Sequence, residues 1–286
     1  KVCNSVPAVL VVCFDLSEEQ QVSPAEEQQA LAQLQHARRQ ARERDIRVLV
    51  LVVLHAAVAD PDAACSRLRQ QSEGSGLVVM KGPQELPAKA KVLERLVYQG
   101  AMSFYNDEEK RLRKVWCPQP PAGVPQWAVG TMQVRVNFKL GFLSECRRDA
   151  RGALKCYIKA YEQLIQDAEI GSVTERMELC NHITLRMYQR YIHSHDISAA
   201  VHHCRFHTST LRSCGHWDLD DATAWRKWHW LAANHHLFAE LLESVAQQLP
   251  LLIDQADMWQ FPGFHYQAAA AYIGRLKEWA HAASAS

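Results

Sequence analysis

Six side chains capable of holding a metal fall within fifteen residues: His202, His203, Cys204, His207, Cys214 and His216. His203 and His207 stand four apart, a spacing that places two ligands on one face of a helix, as zinc sites built on helices require. The rest of that chemistry is missing. No glutamate stands between the two histidines to act as a general base, and the six residues surround a helix instead of converging on a point. The pattern predicts histidines on the solvent face and cysteines in the core, with no metal ligand assigned.

A nucleotide is the second chemistry to weigh, because ligands of parallel α/β sheets bind at the carboxyl ends of the strands. Phosphate binding needs glycines after the first strand, so that backbone N–H groups can approach the oxygens. The loop here reads Asp15-Leu16-Ser17-Glu18-Glu19-Gln20-Gln21, acidic and without glycine, and His55–Pro61 has neither glycine nor lysine. Asp15 and Asp60 are expected to cap helices or face solvent. No G-x-S-x-G elbow offers a serine nucleophile. No catalytic residue, cofactor-binding residue or metal ligand is assigned, and no cofactor is expected.

The elements that would position such groups form two series. Pro7–Phe14 is a β-branched run of the kind buried on both faces of a sheet. Ser23-Pro24 opens a helix to about Arg44. Arg47–Leu54 is a second strand, Pro61–Gln71 a short helix, Leu77–Met80 a third strand, and Leu86–Lys114 a long helix. This alternation predicts a small three-layer α/β domain with a parallel sheet over residues 1–116. Cys117–Pro125 holds four prolines and reads as a Pro-rich linker, 117–125.

From 126 to 286 every segment reads as helix: Trp127–Arg147, Ala150–Ala168, Thr174–Ser194, Ile197–Cys214, Asp221–Gln248 and Phe264–Ala283. Laying Asp149 on Asp196 pairs Ala153 with Ala200, Leu154 with Val201, Tyr157 with Cys204 and Leu164 with Leu211, at an offset of 47. Tandem helical pairs of that length mark an α-solenoid similar to tetratricopeptide repeats. Trp225, Trp228, Trp230 and Leu231 read first as core and second as a stripe for a partner.

Whole-chain properties narrow the function classes. The 32 basic and 31 acidic residues leave a net charge of +1, against the strongly basic domain that nucleic-acid binding demands. Nine cysteines without a C-x-x-C spacing suit a reducing compartment, where Cys13, Cys146 and Cys180 would act as small hydrophobes. Lys110-Arg111-Leu112-Arg113-Lys114 would offset a helix dipole, with membrane phosphate as a second reading. The apolar runs Ala8–Phe14 and Val48–Val58 are too short to span a bilayer.

The helical half also carries a resemblance. Phe138–Asp149 leading into Ala153–Tyr161, then Trp225 with Phe238-Ala239-Glu240-Leu241-Leu242-Glu243, then Pro262-Gly263-Phe264-His265-Tyr266-Gln267, are similar in order to the foie-gras domain. That domain belongs to the subunit 11 family of the transport protein particle (TRAPP) complex, and Pro7–Asp15 and Tyr98–Lys114 fit what precedes it there. The resemblance implies a non-catalytic scaffold or tethering subunit that supports Rab GTPase nucleotide exchange in ER-to-Golgi trafficking and autophagy. Its partners would be other TRAPP subunits and, indirectly, a Rab GTPase. It would be cytoplasmic and peripherally associated with Golgi or ER–Golgi intermediate membranes, with no nucleic acid and no small-molecule substrate. Two alternatives stay open: a free-standing helical-repeat module binding peptides in its groove, and an enzyme using a polar pocket near Asp15 and Asp60.

Overall fold

Three runs rich in valine and leucine become the strands β1 (Val9–Leu16), β2 (Arg47–Leu54) and β3 (Leu77–Lys81). In the computed structural model, which describes residues 8–16, 24–42, 46–54, 70, 77–81, 83–115, 123–213 and 224–285, they pair in parallel in the order β1-β2-β3. Val9 lies beside Arg47 and Val50 beside Leu77, so the register is set along the whole of β2. Helix α1 (Pro24–Arg42) lies over one face. Its Ala30, Leu34 and Ala41 pack on Phe14, Val48, Val50 and Val52, the alternate residues that a strand turns to one side. Removing a residue like Leu34 from water is worth about 1.5–3 kcal/mol.

The opposite face carries helix α2 (Leu86–Val115). Gly100 sets the approach: a Cβ there would lie 3.1 Å from Val9 Cγ2. Farther along the same helix, Arg47 donates to Asp107 at 3.0 Å. The cover is partial, for Val11 and Cys13 are exposed. The expectation of a first strand buried on both faces, with Cys13 as a small core hydrophobe, is therefore corrected. The contacts of α2 fall beside Val9 and Arg47, at the beginning of the strands. The short helix expected over Pro61–Gln71 lies outside the described residues except for Gln70.

The chain divides into two compact units between Arg111 and Leu112. Most of the Pro-rich stretch 117–125 lies outside the described residues. Pro125 then leads into α3 (Gln126–Cys146), which is followed by α4 (Ala150–Gln166), α5 (Val173–His193), α6 (Ile197–Ser213), α7 (Ala224–Gln248) and α8 (Pro262–Ala285). Helices α3 and α5 are each 21 residues long, α4 and α6 each 17, and every boundary recurs 47 positions on.

The turns repeat as well. Arg148 and His195 both take left-handed backbone, at φ 61° and 59°. In the first turn Asp149 N–H donates to Ser144 O, and in the second Asp196 N–H donates to Tyr191 O. Asp149 and Asp196 then cap their helices, accepting from the backbone N–H of Gly152 and Ala199 at 2.9 and 3.0 Å. Behind the caps, Ala153 and Ala200 are both fully buried, as are Tyr157 and Cys204. The pair α7–α8 departs from this spacing, with longer helices joined by Leu249–Phe261.

Candidate functional site

The histidine-rich helix α6 turns its rings inward. His202 is exposed, but His203 and His207 are buried, which corrects the expectation of solvent-facing histidines. His207 is met from two other helices. Its Nε2 lies 3.2 Å from Asn181 Oδ1, an acceptor, so Nε2 carries the proton. Nδ1 is then bare, and the Tyr161 hydroxyl donates to it at 2.7 Å. His203 Nε2 pairs with Thr184 Oγ1 at 3.3 Å. Burial holds His203 near pKa 4, with the neighbouring His202 adding to the effect. Burial likewise holds His207 well below its usual value, helped by His203 and His235.

A second buried pair joins α7 to α8. His265 Nε2–H donates to Trp259 O at 2.8 Å, which leaves Nδ1 to accept from His235 Nδ1–H at 2.9 Å. Both rings are neutral in this chain of bonds. Burial pulls His235 to about 4, with His265 and Arg212 also disfavouring its charge. His265 is lowered by burial, against the opposing pull of Trp259 O and Asp257.

These rings serve as hydrogen-bonded core. With both nitrogens of His207 engaged, a metal would have to break two bonds to reach it. Among the described residues no cluster of three or more His, Cys, Asp or Glu is arranged to hold an ion. Cys214 and His216 lie outside the described residues. Cys204 and Cys180 are buried as expected, and burial pushes each thiol up to about 12, away from the reactive thiolate. Trp230 and Leu231 are core, whereas Trp225 and Trp228 are half-buried, and Trp228 lies beneath the Arg275 guanidinium at 4.9 Å.

Sequence reasoning missed Tyr161, Asn181, Thr184, His235 and His265. Each acts on a partner in a different helix, so nothing in local spacing announces it.

Among the described residues the helical unit has a recess of about 660 Å³ at Trp228, Arg275 and Trp279, and two further surface grooves offer binding space. One, of about 600 Å³, opens between α4 and α6 over the end of α5 and is lined by Ile158, Tyr161, Met187, Tyr191, His203 and Phe206. Glu162 and Asp196 supply its charge. The other, of about 280 Å³, lies between α5 and α7 and includes His182, Leu185, Trp230 and Leu237.

In the α/β unit Arg47, Phe104, Asp107, Glu108 and Arg111 line a recess at the amino end of β2. The loops after β1 and β2, with Asp60, lie outside the described residues, as does the side chain of Asp15. The basic run of α2 begins in ion pairs, Lys110 with Asp107 at 3.9 Å and Arg111 with Glu108 at 2.5 Å.

No family model matches the chain. Over 98% of its length it is 24% identical to trafficking protein particle complex subunit 11 of Bos taurus. The same subunit of Gallus gallus and of Homo sapiens is 23% identical over 96% of the chain. The chain spans about a quarter of the length of these curated relatives, 24% in each case. The likeness runs through both units. No helix of the described residues is long and apolar enough to cross a membrane.

Proposed function

We propose that this chain is a non-catalytic scaffold region of a trafficking protein particle complex, its helical unit a foie-gras domain built as a tetratricopeptide-like α-solenoid. The observation that carries the reading is the likeness to subunit 11 along nearly the whole chain. The architecture supports it. Two helical pairs with coinciding boundaries stack through a continuous core, an arrangement that exposes long surfaces to partners. Burial holds His203, His207 and His235 and the thiols of Cys180 and Cys204 in their neutral forms.

In this role the chain supports Rab GTPase nucleotide exchange in ER-to-Golgi trafficking and autophagy by holding other subunits in place. It works from the cytoplasm at Golgi or ER–Golgi intermediate membranes. Purification of the intact protein from cells, with identification of the co-purifying chains, tests this directly. Other subunits of a trafficking protein particle complex are expected; their absence would reject the assignment. A second reading, a free-standing peptide-binding module, is favoured by the groove between α4 and α6 with its half-exposed Phe206. Recovery of the chain alone, with short peptides held in that groove, would favour it.

A further inference from the structure

Trp225 and Trp228, which the core leaves half-buried, meet α8 at the recess of about 660 Å³. Trp228 and Trp279 line it together with Ala271, Gly274 and Ala282, small residues that let another backbone come close. A Cβ added at Gly274 would touch nothing within 4 Å. The Trp225 ring lies 6.4 Å from that of Trp279, and Trp228 stacks on Tyr272 at 5.9 Å. Tryptophans gathered around one concave surface are the residues that anchor protein contacts.

The rings carry cations. The Arg275 guanidinium lies 4.9 Å and the Lys227 ammonium 5.8 Å from the centre of the Trp228 ring. Arg226 lies 5.5 Å from the Trp225 ring and Arg212 5.4 Å from that of Tyr272. Lys227 also donates to Arg212 O at 3.2 Å, which ties the group together. Among the described residues none of these four has a carboxylate partner, and the Arg226 Nε–H is buried without an acceptor. Stacking on a ring holds a cation in place and leaves its charge unneutralised. One carboxylate, Glu278, lines the recess. Asp218, Asp220 and Asp221, which precede α7, lie outside the described residues.

Charge and shape together choose the occupant. Four unneutralised cations against one carboxylate draw an anionic surface. A bilayer or a nucleic acid would set phosphates against Glu278 as well, and a flat bilayer would leave the recess unfilled. A protein segment can meet both demands, with carboxylates for the cations and an apolar side chain for the space between the tryptophans.

We infer that this recess docks an acidic segment of another protein, whose apolar side chain packs on Trp228 and Trp279 while its carboxylates meet Arg275, Arg226 and Lys227. The surface goes beyond the scaffold reading and serves a partner in any assembly. Carbodiimide, which joins a lysine to a carboxylate in direct contact, tests it on the intact protein purified from cells with its partners. Lys227 is expected to link to an aspartate or glutamate of another protein, in a segment that also carries an apolar side chain. Arg275→Glu, at an exposed position, should cut co-purification of that protein about tenfold. Reversing a carboxylate of the linked segment to lysine should restore it. A link to Asp218, Asp220 or Asp221 of the same chain, to a second copy of the chain or to a segment without apolar side chains would each overturn the inference. So would no link, a loss that the partner's reversal fails to restore, or flotation with phosphatidylserine vesicles that Arg275→Glu abolishes.

Discussion

The pairs α3–α4 and α5–α6 share their spacing, their turns and the aspartate caps of their second helices, yet they fill the same crossing in opposite ways. In the first pair the large ring comes from the second helix. Tyr157 is fully buried against Gly141, where an added Cβ would lie 2.6 Å from the ring. In the second pair the equivalents are Tyr188 on the first helix and Cys204 on the second, both fully buried and in contact. Large-on-small has become small-on-large. Interior packing density leaves room for one ring at such a crossing, and either helix can supply it while the backbone stays the same. The shared backbone is held elsewhere, by the left-handed turns at Arg148 and His195, the aspartate caps and the alanines behind them.

The largest effect should come from emptying the crossing. Tyr188→Ala removes a ring packed 4.5 Å from Phe238, together with its bond to Asn234, and should cost about 3–5 kcal/mol in chemical denaturation. The exchange itself can be tested in the first pair. Gly141→Tyr alone collides with Tyr157, and adding Tyr157→Cys rebuilds the arrangement of the second pair. The double variant should regain about 1–3 kcal/mol over the single one. A double variant no better than Gly141→Tyr would break the equivalence.

A second contrast concerns acid. His203 and His207 occupy the places of Cys156 and Ala160 in the first pair, so buried histidine enters with α6 and continues through His235 and His265. Their folded pKa values lie below the unfolded value of about 6.5. The unfolded chain therefore binds protons first as pH falls, and stability present above pH 6.5 declines toward pH 4. Each such histidine adds a slope of up to about 1.4 kcal/mol per pH unit. Denaturation midpoints measured from pH 7 to pH 4 should fall steeply, and less steeply after His203→Gln. A flat profile would place these rings in solvent.

Smaller effects test the shared elements. Ala153→Leu and Ala200→Leu should each cost about 1–3 kcal/mol by overpacking, and by similar amounts if the positions are equivalent. Asp149→Ala and Asp196→Ala each remove one cap and should cost about 1 kcal/mol. A large inequality within either pair of variants, read from thermal melts, would show that the repeat is only geometric.

The sequence made some of this legible because the signal was local. Asp149 and Asp196, with the alanines four residues on, gave the repeat its register, and the valines of β2 marked Arg47–Leu54 to the residue. The inversion at the crossing was hidden, since pairing Tyr157 with Cys204 by offset says nothing of what faces them. The burial of the histidines is hidden for the same reason: polar side chains become core only when distant partners satisfy them, and Tyr161 and Asn181 stand 46 and 26 residues from His207.

If the stacked helical pairs carry the chain's partners, disturbing either pair should release them. The most direct test is purification of the tagged protein from cells as wild type, Ala153→Leu and Ala200→Leu, with the co-purifying chains quantified side by side. The wild type should retain subunits of a trafficking protein particle complex, and both variants should lose them while residues 1–111 remain folded. Variants that melt like the wild type and keep every partner would contradict both the repeat register and the scaffold it is said to build.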